Sequence, residues 1–313
     1  MSENMEMTRS QLPVPMLEHQ GRDLIVIPVT GKSMRVPNYF PDLGSDEIES
    51  MLLDINRNIP IDSHEYIKNI AHCTNGPNVV LGTDEQLIAI AGDGRDVLIG
   101  GADSDVLEGG AGDDYLYGGL GEGNDTLDGG EGSDFLVAES GKNILFGRGG
   151  NDMMIGGTGI DWIYGGPGDD YLVGNGGDDE YLFRKGDGHD VVDNRDENGN
   201  DTLHLVDVNI DQVWFRRVGD DLEVSLFETG DSVRLNAWYS TPAMRVDAIA
   251  TMPVDGEQAG KRLSKDRVEN LVQAMAAFTP PPLGSTALPA SYQAILAPVL
   301  AESWHDGSAG GGH

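Results

Sequence analysis

From Ala91 to Phe183 the apolar and polar positions follow a nine-residue beat. Six residues rich in glycine and aspartate precede three that alternate, with an apolar residue at the eighth place. Residues 109–117 (GGAGDDYLY) and 165–173 (GGPGDDYLV) carry it most cleanly, residues 129–137 and 156–164 match, and residues 91–99 and 100–108 follow more loosely. The pattern is G-G-x-G-x-D-x-(apolar)-x. Ten copies fit, with two residues inserted in 118–128 and one added in 174–183. Self-similarity at a fixed period is read before local propensity, because it decides the architecture. Glycines let the first six residues turn with φ > 0. In the short strand that follows, the eighth residue points one way and the seventh and ninth the other. The eighth place reads Leu98, Leu107, Leu116, Leu127, Leu136, Leu145, Met154, Ile163, Leu172 and Tyr181. One coil cannot bury its own leucine, but a stack can. The pattern predicts a mainly β chain built on a parallel β-roll, a right-handed solenoid with this column inside.

Loops alternate sides, so one coil takes two repeats and the sixth-place residues form two columns. Asp96, Asp114, Asp134, Asp152 and Asp170 fall on one side; Asp105, Asp125, Asn143, Asp161 and Asp179 on the other. Strands stacked ~4.8 Å apart bring these carboxylates close together. Like charges at that spacing repel strongly in a partly dry loop, so something positive must lie between them. Carboxylates together with main-chain carbonyls form a hard-oxygen cage that suits Ca²⁺ better than Mg²⁺.

The motif and its copy number resemble the repeats-in-toxin (RTX) family of calcium-binding β-rolls, exported by Gram-negative bacteria. The resemblance implies an ion between loops two repeats apart. Six aspartate pairs are intact: 96/114, 114/134, 134/152, 152/170, 105/125 and 161/179. About six ions are therefore expected, with nine ligand residues: Asp96, Asp105, Asp114, Asp125, Asp134, Asp152, Asp161, Asp170 and Asp179. Asn143 interrupts the second column, and Asp103 and Arg148 stand where loop glycines belong.

Four regions are expected along the chain: an N-terminal α/β region (1–73), the roll (74–183), a β-rich cap (184–255) and a helical C-terminal region (256–313). The first 22 residues read as a polar lead, and residues 23–30 (DLIVIPVT) as a strand. Helices are expected after Ser45, where Ile48, Met51, Leu52 and Ile55 form a stripe, and from Ser63 through Ala71. The second opens on His64-Glu65-Tyr66-Ile67-Lys68, which puts a lysine where a zinc-protease motif needs its second histidine. Residues 74–90 read as imperfect lead-in coils. Beyond the repeats, residues 200–205, 213–217, 221–226 and 231–239 alternate like strands between turns. Asp187, Asp190 and Asp201 read either as a junction calcium site or as turn acids. Residues 264–278 and 290–304 read as amphipathic helices separated by Pro280-Pro281-Pro282. By resemblance they fit a type I secretion signal; they equally fit helices packed on the roll.

Charge sharpens this picture. The 313 residues carry a formal net charge of −33. Within 91–183, 20 acidic residues face three basic ones (Arg95, Lys142, Arg148), a net −17. Nucleic acid is excluded as a partner for so acidic a surface. Without calcium, self-repulsion and glycine content favour an unfolded chain; with it, binding energy becomes folding energy. Cys73 is the only cysteine, so no internal disulfide forms. No stretch approaches the ~20 apolar residues of a membrane span. The acidic start is unlike a cleaved secretory signal, and the resemblance implies type I export to the extracellular medium.

The outward seventh and ninth places of the odd-numbered repeats are all apolar or aromatic: Val97/Ile99, Tyr115/Tyr117, Phe135/Val137, Met153/Ile155 and Tyr171/Val173. A patch of that size calls for a cover, either the chain's own flanking helices or a protein partner. No G-x-S-x-G, phosphate-binding loop or complete H-E-x-x-H is present. The leading expectation is therefore a non-enzymatic calcium-folded protein with a structural, binding or toxin-associated role. The alternative is a secreted enzyme or effector, metallopeptidase-like but degenerate, with its activity in residues 1–73 and the roll as carrier.

Overall fold

The computed structural model describes the backbone of residues 16–20, 23–27 and 34–36, and residues 70–306 apart from 74, 83–84, 197, 243–244 and 253–259. Two compact units divide at residue 68. In the first, strands Met16–Gln20, Asp23–Ile27 and Met34–Val36 form an antiparallel sheet with Leu17 opposite Val26 and Ile25 opposite Arg35. Met16–Gln20 lies in the stretch expected to be an unstructured lead. The expected helix after Ser45 and the His64–Lys68 motif lie outside the described residues.

The second unit is the roll. Its even sheet runs in parallel register from Ile70–His72 to Ala248–Met252, and its odd sheet from Val79–Leu81 to Ser232–Leu235. Successive strands alternate between the sheets, as two repeats per coil require. The eighth-place column is continuous. Ala71, Ala89, Leu107, Leu127, Leu145, Ile163, Tyr181, Leu203 and Ile249 are register partners along one sheet. Val80, Leu98, Leu116, Leu136, Met154, Leu172, Val192 and Leu235 are partners along the other. Leu98 through Tyr181 are at most 1% exposed, so each leucine contributes about 1.5–3 kcal/mol of burial. Tyr181 ends the repeat column with a polar group, and its hydroxyl accepts from Gly174 N–H (2.8 Å) and donates to Asn194 Oδ1 (3.2 Å).

Two expectations shift. Ile70 and Ala71, read as the end of a helix, belong to a strand paired with Ile88 and Ala89. The parallel ladder also continues past Phe183, through His189–Val192 and Thr202–Val206.

The far end of the roll is closed by antiparallel strands. Asp221–Leu226 and Val213–Val218 extend the odd sheet; Lys261–Ser264 and His305–Asp306 extend the even one. Helix α1 (Lys265–Met275) buries Val268, Leu271, Val272 and Met275, one face at helical spacing. It ends short of the three prolines. Helix α2 (Ala290–Ser303) buries Leu296 and Leu300. Both join the hydrophobic core that the coils share. Tyr292 of α2 packs at a tilt against Phe278 with ring centroids 4.6 Å apart, and Phe215 meets Trp304 at 6.3 Å. The helices pack on Val213–Val218, Lys261–Ser264 and the turn Ile210–Gln212, not on the outer odd face. On that face Val97, Ile99, Tyr115, Tyr117, Val137 and Val173 are buried, whereas Ile144 and Trp162 on the even face are exposed. No helix among the described residues is long and apolar enough to cross a membrane.

Candidate metal centre

Each loop is short and stacks directly on the loop two repeats away. That geometry gives the sixth-place aspartate a first task that its spacing does not reveal. Its Oδ1 accepts the backbone N–H of the sixth-place residue two repeats earlier. On the odd side Asp114 accepts from Asp96 (2.7 Å), Asp134 from Asp114 (2.8 Å), Asp152 from Asp134 (2.8 Å) and Asp170 from Asp152 (2.8 Å). On the even side Asp125 accepts from Asp105 (2.9 Å) and Asp179 from Asp161 (3.0 Å). Asp96 and Asp105 make the same bond to the lead-in coils, at Asn78 and Leu87. All nine expected ligand residues thus lie in two continuous columns, and all are at most 4% exposed.

The second carboxylate oxygen is the chemically unusual one. Oδ2 of Asp114, Asp134, Asp152, Asp161, Asp170 and Asp179 is buried with no hydrogen-bond partner. A buried anion without a partner is costly. Burial accordingly pushes these acids upward, to about 6 for Asp152 and Asp161, about 7 for Asp114 and Asp170, and about 8 for Asp134 and Asp179. Asp125 is raised to about 6 for the same first reason. Neighbouring carboxylates in the column add to the shift of Asp114, Asp134, Asp170 and Asp179. These oxygens call for a cation or a proton.

The glycines make the arrangement possible. The first glycine of a repeat leaves room for the carboxylate: a Cβ on Gly165 would stand 2.0 Å from Asp170 Oδ2. The fourth lets loops stack: Gly150 has φ +122° and a Cβ there would stand 1.7 Å from Gly132 O. Among the described residues no three His, Cys, Asp or Glu side chains gather at one point. A cation held here must draw on main-chain carbonyls as well as carboxylates. That donor set suits Ca²⁺, which accepts six to eight oxygens in loose geometry, better than zinc or a softer metal.

The departures from the motif behave differently from one another. Arg148, at a second-place glycine position, adopts φ 79° itself. Its guanidinium holds Asp128 through Nε and Nη2 (2.9 and 2.6 Å) and stacks 4.9 Å from the Phe146 ring centroid. Asp105 differs from its fellows because its Oδ2 already accepts Gly101 N–H at 2.6 Å. Asn143 keeps the ladder, its Oδ1 accepting from Asp125 N–H at 2.9 Å.

Sequence spacing alone left Asp187, Asp190 and Asp201 undecided. The columns separate them. Asp190 Oδ1 accepts from Asp170 N–H (3.1 Å), its Oδ2 is buried without a partner, and burial raises it to about 9. Asp201 Oδ1 accepts from Asp179 N–H (2.9 Å), but its Oδ2 is held by Asn194 Nδ2 (2.7 Å). Asp187 lies outside the columns; its oxygens accept from Tyr164 hydroxyl (3.2 Å) and Arg184 N–H (2.6 Å). Residues 185–193 (KGDGHDVVD) keep two loop glycines and the aspartate, which was the signal available for Asp190. The His189 and His204 side chains meet Ser232 and Glu180, not the column carboxylates.

Comparison with known families agrees with this geometry. A family model of the RTX calcium-binding nonapeptide repeat, four copies long, matches residues 90–122, 120–154 and 146–181. That stretch carries RTX calcium-binding repeats, and its matches contain all nine expected ligand residues.

Proposed function

We propose, from the RTX calcium-binding repeats of residues 90–181, a secreted calcium-binding protein whose roll folds when Ca²⁺ reaches it outside the cell. The observation that carries this reading is the row of buried Oδ2 atoms without partners, from Asp114 to Asp190. Bound Ca²⁺ supplies the positive charge that the stacked carboxylates lack. Asp96, Asp105, Asp114, Asp125, Asp134, Asp152, Asp161, Asp170 and Asp179 hold it, with loop carbonyls completing the shell. The six intact pairs give about six ions, and the pair 170/190 adds one at the junction.

The chain's own residues do the rest. Oδ1 of each aspartate fixes loop spacing through a backbone N–H. The leucine column supplies the apolar energy that stacking releases. Calcium sites of extracellular modules are weak, around 10⁻⁴–10⁻³ M, so the roll would stay unfolded where calcium is scarce and fold where it is plentiful. This suits type I export of an unfolded chain. Helices α1 and α2 then serve as the lid of the folded roll, because their apolar faces enter the common core.

Equilibrium dialysis of the full chain against calcium, with magnesium as the control, tests the reading. Six to seven ions per chain are expected, displaced poorly by magnesium. Uptake of one ion or none, or equal uptake of magnesium, would overturn it.

A further inference from the structure

Among the described residues, three asparagine side chains donate to an aspartate of the columns, a contact that an aspartate in their place could not make. Asn143 is completely buried at a sixth-place position. Its Nδ2 donates to Ser140 O (3.2 Å) in its own loop and to Asp161 Oδ1 (2.9 Å) in the next. Its Oδ1 faces Asp125 N–H, so the partners fix which end of the amide is which. Asn78 does the same at the start of the odd column: its Nδ2 donates to Gly76 O and to Asp96 Oδ1 (2.9 Å). Asn194 meets the last aspartate of the even column, its Nδ2 donating to Asp201 Oδ2 at 2.7 Å.

In each case the amide N–H touches a column carboxylate, through the ladder oxygen Oδ1 of Asp96 and Asp161 and through Oδ2 of Asp201, and for Asn78 and Asn143 also a loop carbonyl. Those are the groups that a hard cation would collect. We infer that the Asn78, Asn143 and Asn194 side chains stand in for a cation, closing the start of the odd column and the end of the even one and welding the even column in its middle without metal. This rests on the calcium reading above, and adds where the ions stop. The first-place residue is not what decides. Ala138 precedes Asn143, but Ala91 stands in the same place before Asp96, which keeps its carboxylate in the column. The asparagine itself is the determinant.

The consequence is a segment, 125–161 on the even side, whose links form without calcium and which carries less stacked charge than the odd side. Replacing the amide by a carboxylate should turn the weld into two sites, through pairs 125/143 and 143/161. The full chain carrying Asn143→Asp should take up two more calcium ions than wild type in equilibrium dialysis, and should need more calcium to reach half-folding by far-UV circular dichroism. Asn143→Ala should leave the ion count unchanged and also raise the calcium midpoint, because both the weld and the acceptor of Asp125 N–H are lost. Normal calcium uptake by wild type with an unchanged count in N143D would overturn the inference alone. Absence of uptake by wild type would overturn the calcium reading and the inference with it. Should N143D not fold at any calcium concentration, an N143A midpoint raised no further than Asp134→Ala raises it over Asp134→Asn, which measures loss of the ladder acceptor alone, would overturn the inference, and a larger rise would sustain it.

Discussion

Asp134 sits in the middle of the odd column and is asked to do two jobs that substitution can separate. Its Oδ1 accepts Asp114 N–H at 2.8 Å, and its Oδ2 is buried without a partner. Asp134→Asn keeps an oxygen for the N–H, as Asn143 does, and removes the anionic oxygen. Asp134→Ala removes both. With calcium saturating, both variants lose a carboxylate from pairs 114/134 and 134/152, so both should bind up to two fewer ions. Only Asp134→Ala also orphans a buried N–H, at a cost of about 1–3 kcal/mol. That is roughly a 5- to 150-fold difference in the folding equilibrium. Urea unfolding in saturating calcium should place D134A below D134N by that amount, while dialysis gives the two variants the same reduced count. Equal stability of the two variants would refute the ladder role of Oδ1. A full ion count in both would refute the ligand role of Oδ2.

Two further outcomes follow from the core and from the acids. Leu145→Ala removes a completely buried side chain from the centre of the even column and should cost about 2–5 kcal/mol in calcium, read as a lower urea midpoint with an unchanged ion count. Without calcium, pH should act through the column. Folded-state values of about 7 for Asp114, 8 for Asp134 and Asp179 and 9 for Asp190 lie above the ordinary 3.8, so protons favour the folded roll. The stabilisation is complete below pH ~4 and disappears as pH rises through ~6 to ~9. Circular dichroism in chelator should therefore show more β structure at pH 5 than at pH 9, and calcium binding at pH 7 should release protons, seen as a buffer-dependent heat. More structure at pH 9 than at pH 5 would contradict this.

The sequence made the repeats legible because each position has one physical duty. Apolar residues fill the eighth place, aspartate the sixth, and glycine the places where a Cβ would strike a carboxylate or a carbonyl. The buried column from Leu98 to Tyr181 lies where the period put it. Other features needed coordinates. The Oδ1 ladder joins residues 18, 20 or 22 apart, a relation that appears only once loops stack. Beyond Phe183 one further frame, residues 185–193, keeps the beat after a one-residue shift and places Asp190 at its sixth position, whereas the longer, glycine-poor stretch that follows puts Asp201 outside it. Ile70 and Ala71 follow Ile67 at a spacing that suits a helix, but parallel pairing with Ile88 and Ala89 makes them a strand. Leu87 occupies a sixth place with no side-chain oxygen, yet its N–H still donates to Asp105 Oδ1 at 2.7 Å. Arg148 read as a lost glycine, and its ion pair with Asp128 across the stacked loops could not be seen from spacing alone.

Whether calcium folds the roll is decided by far-UV circular dichroism of the full chain during a calcium titration from a chelated start, with magnesium in parallel. A steep coil-to-β transition should appear with calcium, and magnesium should not reproduce it. A roll already formed in chelator at neutral pH, and unchanged by calcium, would contradict it.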